Sequence, residues 1–233
     1  MIRTPGRKPL PGGAVPLEWA ANRALFSSRT QDGAIAVPRS KWRSLFDGSS
    51  LKGWVVQDKN DLWVVDGGTL HCKGGGGGYL RTEQQFEDFA FACEAKIDKG
   101  VNSGIFVRWS DPKDAVNTGI EVQVIDSAGK TTLDKHDSGA LYDLVAPTAN
   151  TMKPAGEWNR YVITCVGPFV TARLNGAVVA DMNLDDYPEA GKSPDGTTNK
   201  FKYAMAALPR KGYIGLQNHG GKIWFRNLMV LPL

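Results

Sequence analysis

Short apolar or alternating segments, separated by Gly, Asn and Asp, run from Trp42 to the end of the chain. Such segments with turn-forming residues between them are typical of β-strands. They predict eleven strands without intervening helices, a pattern that indicates an all-β sandwich of two sheets. The predicted strands are 53–57, 62–65, 69–72, 89–97, 104–109, 120–126, 159–166, 169–174, 177–181, 212–217 and 223–231.

Two kinds of connection separate these strands. Asn175 and Gly176 predict a tight β-hairpin, because both residues tolerate the positive φ angles of a two-residue type I′ turn. The five glycines 74–78 and the polar stretch 185–199 predict loops instead. The glycine run lacks the following Gly-Lys-Ser/Thr of a phosphate-binding loop. Long loops on a β-sandwich often border a binding groove.

Two predicted strands carry polar side chains on one face. In strand 120–126, Ile, Val and Val at the even positions share one face, which leaves Glu121 and Gln123 together on the other. In strand 104–109 the same alternation places Phe106 and Arg108 on one face. If both strands lie in mid-sheet, these polar faces form one groove. An Arg near a sheet interior must be paired, and Glu121 is its natural partner if the role is only structural.

A third strand extends this pattern. Gln217 alternates with apolar neighbours, and His219 lies one step beyond it if the strand continues. This placement makes His219 the best candidate for a general acid or base among the three histidines. The alternative is a solvated outer face, on which polar residues need no function. Aromatic residues favour the groove, because carbohydrate sites stack sugars on ring faces; they are Trp54, Trp63, Tyr79, Trp109 and Tyr142.

Charge divides the chain into two parts. The net charge is +4, but residues 1–43 hold eight Lys/Arg against two acids, whereas residues 44–233 hold twenty against twenty-two. A nearly neutral body lacks the basic surface that nucleic-acid binding requires. With its scattered Pro and Gly, segment 1–43 is predicted to be a tail that the body does not need for folding.

Few other features point to chemistry. Cys72, Cys93 and Cys165 lack CxxC spacing and are predicted to be mainly core residues, although one disulfide remains an alternative. No stretch is long and apolar enough for a membrane helix, and the N-terminus lacks the apolar segment of an export signal. Three aspartates near turns lack the ligand spacing of a calcium loop; they are Asp126, Asp137 and Asp143. No metal or cofactor is predicted.

A series of motifs in chain order covers the chain from about residue 44 to its end. They are LFDG (45–48), LKGW (51–54), DGGTL (66–70), GYLRT (78–82), NSGIF (102–106), GIEVQVID (119–126), SGALY (138–142), KP (153–154), EWN (157–159), LNG (174–176), GLQNHGG (215–221) and FRN (225–227). In these motifs the sequence resembles the 3-keto-disaccharide hydrolases, a bacterial family formerly known only as a domain of unknown function.

The resemblance implies a fold and a site. It implies a concanavalin A-like jelly roll of two curved antiparallel sheets over residues 44–233, with a groove on the concave sheet. It further implies Glu121 and His219 as catalytic residues, and a carbohydrate as partner. The implied substrate-binding residues are Arg81, Arg108, Gln123, Tyr142, Lys153 and Gln217. Many relatives are exported, whereas this chain shows no export signal, so its compartment stays open. The sequence does not indicate an oligomeric state.

The motif around Glu121 also bears on mechanism. Retaining β-glucan hydrolases of this fold use a Glu-x-Asp-x-x-Glu strand whose carboxyl groups act as nucleophile and acid/base. Here Gln123 replaces the middle acid, so ordinary double displacement is not expected. A 3-keto sugar allows another route, because the ketone acidifies the C2 hydrogen and the glycosidic oxygen leaves by elimination, followed by addition of water. The alternative function is a carbohydrate-binding module without turnover.

Overall fold

The computed structural model describes residues 41–57 and 61–233, and the predicted tail lies outside the described residues up to residue 40. Thirteen strands make up almost all of the regular structure within these described residues. They are β1 Arg43–Ser44, β2 Trp54–Val56, β3 Trp63–Asp66, β4 Thr69–Cys72, β5 Gly78–Thr82, β6 Phe89–Ile97, β7 Asn102–Trp109, β8 Ile120–Ile125, β9 Asn159–Val166, β10 Phe169–Leu174, β11 Ala177–Asn183, β12 Tyr213–Asn218 and β13 Ile223–Pro232.

The strands form two antiparallel sheets. Seven strands of the larger sheet follow the order β11-β10-β9-β6-β13-β4-β3, and β1 pairs with β13 as its eighth member. The smaller sheet has the order β2-β5-β12-β7-β8. The predicted all-β sandwich is therefore confirmed. A short helix, α1 (Ala115–Thr118), and the 3₁₀ turns Leu184–Asp186 and Met205–Ala207 complete the regular structure of the described residues.

The hydrophobic core lies between the two sheets. Phe89, Phe91 and Cys93 enter it from β6, and Ile105 and Val122 enter it from the smaller sheet. Full burial of a Phe, Ile or Val side chain of this kind stabilises the fold by about 1.5–3 kcal/mol. The three cysteines are buried with free thiols, so the disulfide alternative is wrong.

The predicted hairpin between β10 and β11 is confirmed. Leu174 pairs with Ala177, and the two residues between them have positive φ angles, 49° at Asn175 and 92° at Gly176. Two strands were not predicted. β5 begins directly at the last glycine of the run 74–78, and the two-residue β1 begins at Arg43, inside the predicted tail.

One edge of the smaller sheet is covered by the chain that follows β8. The backbone of Gly139 and Ala140 exchanges hydrogen bonds with Gln123, and the Tyr142 N–H donates to the Glu121 carbonyl at 2.9 Å. An edge strand covered in this way cannot pair with another chain. The covering segment therefore runs alongside β8, with Val122 bridged to Leu141. No helix among the described residues is long and apolar enough to cross a membrane.

Candidate functional site

Polar residues collect on the face of the smaller sheet that points away from the inter-sheet core. On β8, Ile120, Val122 and Val124 belong to the core, which leaves Glu121 and Gln123 on the opposite face. The sequence pattern predicts this placement. Both side chains are nevertheless buried, because the chain after β8 and residues near Lys200 cover them.

The strand register arranges this face in rows. Gln123 pairs with Gly104 on β7, and the pairing of Leu216 with Ile105 sets Gln217 of β12 level with Gly104. Gln217 and Gln123 therefore flank a glycine that lacks a side chain. The Glu121 carboxylate fills the place of that missing side chain, with an amide on either side.

The two glutamine side chains leave hydrogen-bonding capacity unused. Gln123 donates through Nε2 to Asn102 Oδ1 and to the His136 carbonyl, both at 3.2 Å, which fixes the orientation of its amide. Its Oε1 and the Oε1 of Gln217 are buried without a donor among the described residues. Buried acceptors without a donor are uncommon in proteins and require an explanation such as an external donor. The hydroxyl groups of a sugar are donors of this kind.

Glu121 is the most unusual ionisable group on this face. It is 6% exposed, and burial raises its pKa from the ordinary 4.5 to about 7, although the charge of Lys200 acts in the opposite direction. Within the described ranges, no group donates a hydrogen bond to its carboxylate. A buried carboxylate with a pKa near neutrality suits proton transfer, since a general base works best near the working pH.

Tyr142 and Lys200 lie beside Glu121. The Lys200 Nζ is 3.7 Å from the centroid of the Tyr142 ring, a cation–π contact. Lys200 as a whole is exposed, but its ammonium end packs on this ring, and partial burial lowers its pKa while Glu121 and Asp143 act to raise it. Burial and the Glu121 charge raise the pKa of the Tyr142 hydroxyl, so that it stays protonated as a hydrogen-bond donor.

His136 is the histidine that the structure brings next to this group. Its ring lies edge-on to Tyr142, with 4.8 Å between centroids. Its Nε2 is 3.3 Å from Asp143 Oδ1, and its Nδ1 is 3.4 Å from Asp134 Oδ1. Two carboxylates therefore orient a ring that the sequence pattern did not single out.

Arg108 does not share the face of Phe106, and this prediction is wrong. The chain forms a β-bulge here, with Arg108 at φ 52°, so that the alternation of β7 shifts by one residue. Its guanidinium donates to the Gly167 carbonyl at 2.5 Å, to the Glu87 carbonyl and to Asp88 Oδ1. Arg108 is 2% exposed and pairs with Asp88, not with Glu121.

The bulge moves Trp109 to the face that Arg108 was expected to occupy. Trp109 packs with Phe106 and Ala115 in a small second cluster, under the turn that contains α1. Gly215 is required beneath it, because a Cβ there would stand 2.8 Å from the indole ring. Both large rings are fully buried, so they do not form an open stacking platform. Two of the other aromatic residues proposed for sugar stacking, Trp54 and Trp63, belong to the main core.

Arg81 lies on the same sheet face but at its opposite side. One row of paired residues crosses the sheet from Arg81 on β5 to Glu121 on β8. Between them lie Gly215 on β12 and Phe106 on β7. Three strand spacings, about 14 Å, therefore separate Arg81 from Glu121. The guanidinium stacks over the Tyr213 ring at 4.2 Å, and its Nε donates to Gln57 Oε1 at 2.5 Å.

The remaining predicted site residues lie farther from Glu121. His219 follows β12 directly and is exposed. Continued pairing would set it level with Asn102, about 13 Å along the strand direction from the level of Glu121. Lys153 is exposed, and its N–H donates to Asn159 at the start of β9 in the larger sheet. The structure therefore does not bring Lys153 to this face.

The three aspartates considered for calcium do not converge. Asp126 accepts the Gly100 N–H, Asp137 binds Lys130, and Asp143 accepts the Lys200 N–H. In the part of the chain that the structure describes, no group of three or more His, Cys, Asp or Glu side chains is arranged to hold a metal ion.

Two residues of this group, one near Glu121 and one beside Tyr142, are not indicated by the sequence pattern. His136 and Lys200 come from the loops that follow β8 and β11, where no periodic pattern relates them to the strands. The available signals were indirect. The loop 185–199 was expected to border a groove, and Lys200 follows it directly.

Comparisons with known proteins agree with the motifs. The sequence model of a family described as a 3-keto-alpha-glucoside-1,2-lyase-like domain matches residues 41–231. A curated protein named 3-keto-disaccharide hydrolase, from Bacteroides thetaiotaomicron, is 25% identical, with 91% of this chain and 85% of the relative covered.

Solved structures show the same architecture. A crystal structure of a "putative glycosyl hydrolase" from Parabacteroides distasonis is 30% identical, covers 83% of this chain and 100% of its own, and superimposes with a TM-score of 0.74. The carbohydrate-binding module CBM66 from Bacillus subtilis is 18% identical, covers 76% of this chain and 93% of its own, and has a TM-score of 0.50. The latter likeness concerns the fold alone. The sandwich is of the jelly-roll type, as the sequence predicts.

Proposed function

The chain belongs to the family of 3-keto-alpha-glucoside-1,2-lyase-like domains, and from this premise we propose that it cleaves the glycosidic bond of 3-keto-glycosides by elimination and hydration. The name of the curated relative supports a 3-keto-disaccharide as substrate class. The family membership confirms the resemblance seen in the motifs. The substrate and the chemical steps are our proposal.

The observation that carries the proposal is the environment of Glu121. A retaining hydrolase needs a second carboxyl group about 5–5.5 Å from the first. The strand neighbour on the same face is Gln123, and Asp143 is engaged with His136 and the Lys200 N–H. A single buried carboxylate with a pKa of about 7 suits the removal of a carbon-bound proton.

The proposed reaction uses this base once. The Glu121 carboxylate takes the C2 proton, and the electron pair of that bond forms an enolate with the C3 ketone. The enolate then re-forms the ketone, the C1–O bond breaks, and the departing oxygen receives a proton. Water finally adds across the C1–C2 double bond, with its oxygen at C1 and a proton at C2. No change of oxidation state is required.

Other groups on the face have matching roles. The unused acceptors of Gln123 and Gln217 would bind sugar hydroxyl groups beside the Glu121 carboxylate. We assign the protonation of the departing oxygen to His136, whose contact with the Tyr142 ring supports this role. We keep His219 as the competing candidate for that role, since it extends the same strand face at the end of β12.

The direct test compares 3-keto disaccharides with the corresponding unoxidised disaccharides and measures the released sugar. We expect turnover of the 3-keto forms only, because the C2 hydrogen is acidic only beside the ketone. Glu121→Gln should lower kcat by ~10²- to 10⁴-fold. Glu83→Gln is the matched control, since Glu83 is exposed at the end of β5.

Two results would contradict the proposal. Equal rates on oxidised and unoxidised sugars would rule out chemistry that depends on the ketone. Tight binding of the 3-keto disaccharide without any cleavage would instead support the alternative, a carbohydrate-binding module.

A further inference from the structure

We propose that Lys200 is a catalytic residue, whose ammonium group binds the C3 carbonyl oxygen and stabilises the negative charge that develops there during enolisation. This inference rests on the proposed function and names the group that complements Glu121. Base and ammonium would then act on neighbouring atoms of one sugar ring, the C2 hydrogen and the C3 oxygen.

The first support is that Lys200 reaches the site without being neutralised. Its Nζ lies over the Tyr142 ring at 3.7 Å, and its charge lowers the pKa of Glu121. Yet it is farther from the Glu121 carboxylate than the 4.0 Å of a direct ion pair. Across residues 41–57 and 61–233, no carboxylate oxygen lies within 4.0 Å of the Lys200 Nζ. The ammonium therefore keeps its N–H donors for a ligand.

The second support is that the backbone of Lys200 is fixed. Its N–H donates to Asp143 Oδ2 at 2.7 Å, while the next residue, Phe201, is buried in the core. One step further, the Lys202 N–H donates to Asn117 Oδ1 at 3.2 Å. Anchors at three successive residues hold the start of the side chain in place. A preorganised donor stabilises a transition state better than one that must reorganise.

The third support is the chemical requirement of the reaction. Enolisation of a ketone moves negative charge onto the carbonyl oxygen, so a base alone leaves that charge uncompensated. A cation in a partly buried site is an effective partner, because its field is screened less there than in water. Lys200 remains protonated throughout, and the proton balance of the proposed reaction is unchanged.

Tyr142 is the competing donor, since its hydroxyl stays protonated and lies in the same group. The two residues differ in charge, so their loss has different consequences. A neutral hydroxyl supplies one hydrogen bond, whereas the ammonium supplies a full positive charge as well. We therefore expect Lys200→Met to impair enolisation more than Tyr142→Phe does.

The experiment isolates enolisation from bond cleavage. The probe is a 1,5-anhydro-3-keto-hexitol, a sugar with hydrogen in place of the C1 leaving group, and the measurement is exchange of its C2 hydrogen in deuterium oxide. We expect the wild type to catalyse exchange and Lys200→Met to slow it by ~10²- to 10³-fold, as for loss of one oxyanion donor. Lys200→Arg, which keeps the charge, should recover part of the rate.

Controls separate a catalytic role from a structural one. Lys202→Met removes a nearby lysine side chain and keeps the hydrogen bond that the backbone N–H of residue 202 donates to Asn117. This variant should catalyse C2 hydrogen exchange at the wild-type rate. Thermal unfolding should match between Lys200→Met and Lys202→Met within a few degrees.

The outcomes distinguish the two proposals. A wild type that neither exchanges the probe nor cleaves 3-keto disaccharides overturns the proposed function. A wild type that does both, with Lys200→Met exchanging at a similar rate, overturns only the role of Lys200. An amine adduct trapped on Lys200 by borohydride would also overturn it, since that result indicates an imine instead of an ammonium–enolate pair.

Discussion

The carboxylate of Glu121 lies against Gly104 of the neighbouring strand, so closely that a Cβ atom on Gly104 would stand 2.9 Å from both Cγ and Cδ of Glu121. Real Cβ atoms do not approach other carbons to this distance. The absence of a side chain at residue 104 is therefore a condition for the position of the proposed base. Since Gly104 also separates Gln123 from Gln217, the same glycine lets the base lie between the two amides.

This relationship predicts the effect of Gly104→Ala. The added methyl group should displace the Glu121 carboxylate and lower kcat by about 10- to 100-fold, because small displacements of catalytic groups have effects of that size. Overpacking should also reduce stability by about 1–3 kcal/mol. Steady-state kinetics and chemical denaturation would measure the two effects.

The control for this variant is Gly77→Ala, where the new Cβ meets only the Asn218 carbonyl oxygen at an ordinary 3.8 Å. A double variant adds a sharper test. If Gly104→Ala acts through the base, combining it with Glu121→Gln should lower kcat little further than Glu121→Gln alone. Full additivity would show that Gly104 acts elsewhere.

The pKa of Glu121 predicts how the rate depends on pH. A base must be ionised, and burial raises the pKa of this carboxyl to about 7. The acid limb of kcat/KM for a 3-keto disaccharide should therefore have its inflection near pH 7 instead of near pH 4.5. Because the Lys200 charge lowers this pKa, Lys200→Met should move the limb to higher pH, whereas Lys202→Met should leave it unchanged. An acid limb below pH 5 in the wild type would refute the role of Glu121 as base.

The raised pKa of Glu121 also predicts that this group makes the folded protein less stable above pH 7 than below pH 4.5. The folded protein holds a proton on Glu121 between about pH 4.5 and 7, whereas the unfolded chain releases it near 4.5. In that window the folded state binds more protons than the unfolded chain. The contribution of Glu121 to the free energy of unfolding therefore falls as pH rises. Glu121→Gln removes this dependence.

Urea denaturation from pH 4 to 9 measures that contribution. The variant should gain on the order of 1–3 kcal/mol relative to the wild type across the window, after which the difference stays constant. A difference that does not change with pH would show that the carboxyl titrates alike in both states.

Arg108 is predicted to matter for stability and not for substrate binding. Its buried guanidinium satisfies the Glu87 and Gly167 carbonyls and one oxygen of Asp88. Arg108→Met should therefore cost about 2–3 kcal/mol of unfolding free energy, or about 5–10 °C in Tm. KM at a temperature where the variant is folded should stay unchanged. A large increase in KM without loss of Tm would instead place Arg108 in the substrate site.

Most of the fold could be predicted because its strands alternate regularly. The same alternation places Glu121 and Gln123 on one face, since β8 has no irregularity. It fails at Arg108, where a bulge shifts the alternation of β7. The bulge is accompanied by a distant contact that no local pattern contains. The Arg108 carbonyl oxygen packs against Gly212, just before β12, where a Cβ would stand 2.6 Å from it.

The candidate site was less predictable than the strands that carry it. Lys200 and His136 lie on loops, and their positions depend on tertiary contacts such as the hydrogen bond from Lys200 to Asp143. β5 was hidden for a different reason, because the glycine run ends inside the strand. Its alternation, with Tyr79 outward and Leu80 in the core, becomes visible only once its partner β12 is known.

Two histidines compete for the protonation of the departing oxygen. Both residues are exposed, but His136 contacts Tyr142 and is oriented by Asp134 and Asp143, whereas His219 lies at the end of β12. His136→Ala should therefore lower kcat for a 3-keto disaccharide by about 10²-fold. His219→Ala should leave kcat within about threefold of the wild type and act, if at all, on KM.

The leaving group provides the check on this assignment. A 3-keto-glycoside with a nitrophenolate leaving group needs little protonation, because nitrophenolate departs as an anion. His136→Ala should therefore cleave this substrate at nearly the wild-type rate, and Glu121→Gln should not, since the C2 proton must still be removed. If His219→Ala and not His136→Ala shows this selective recovery, the acid is His219, and the loop that follows β8 serves only to position Tyr142.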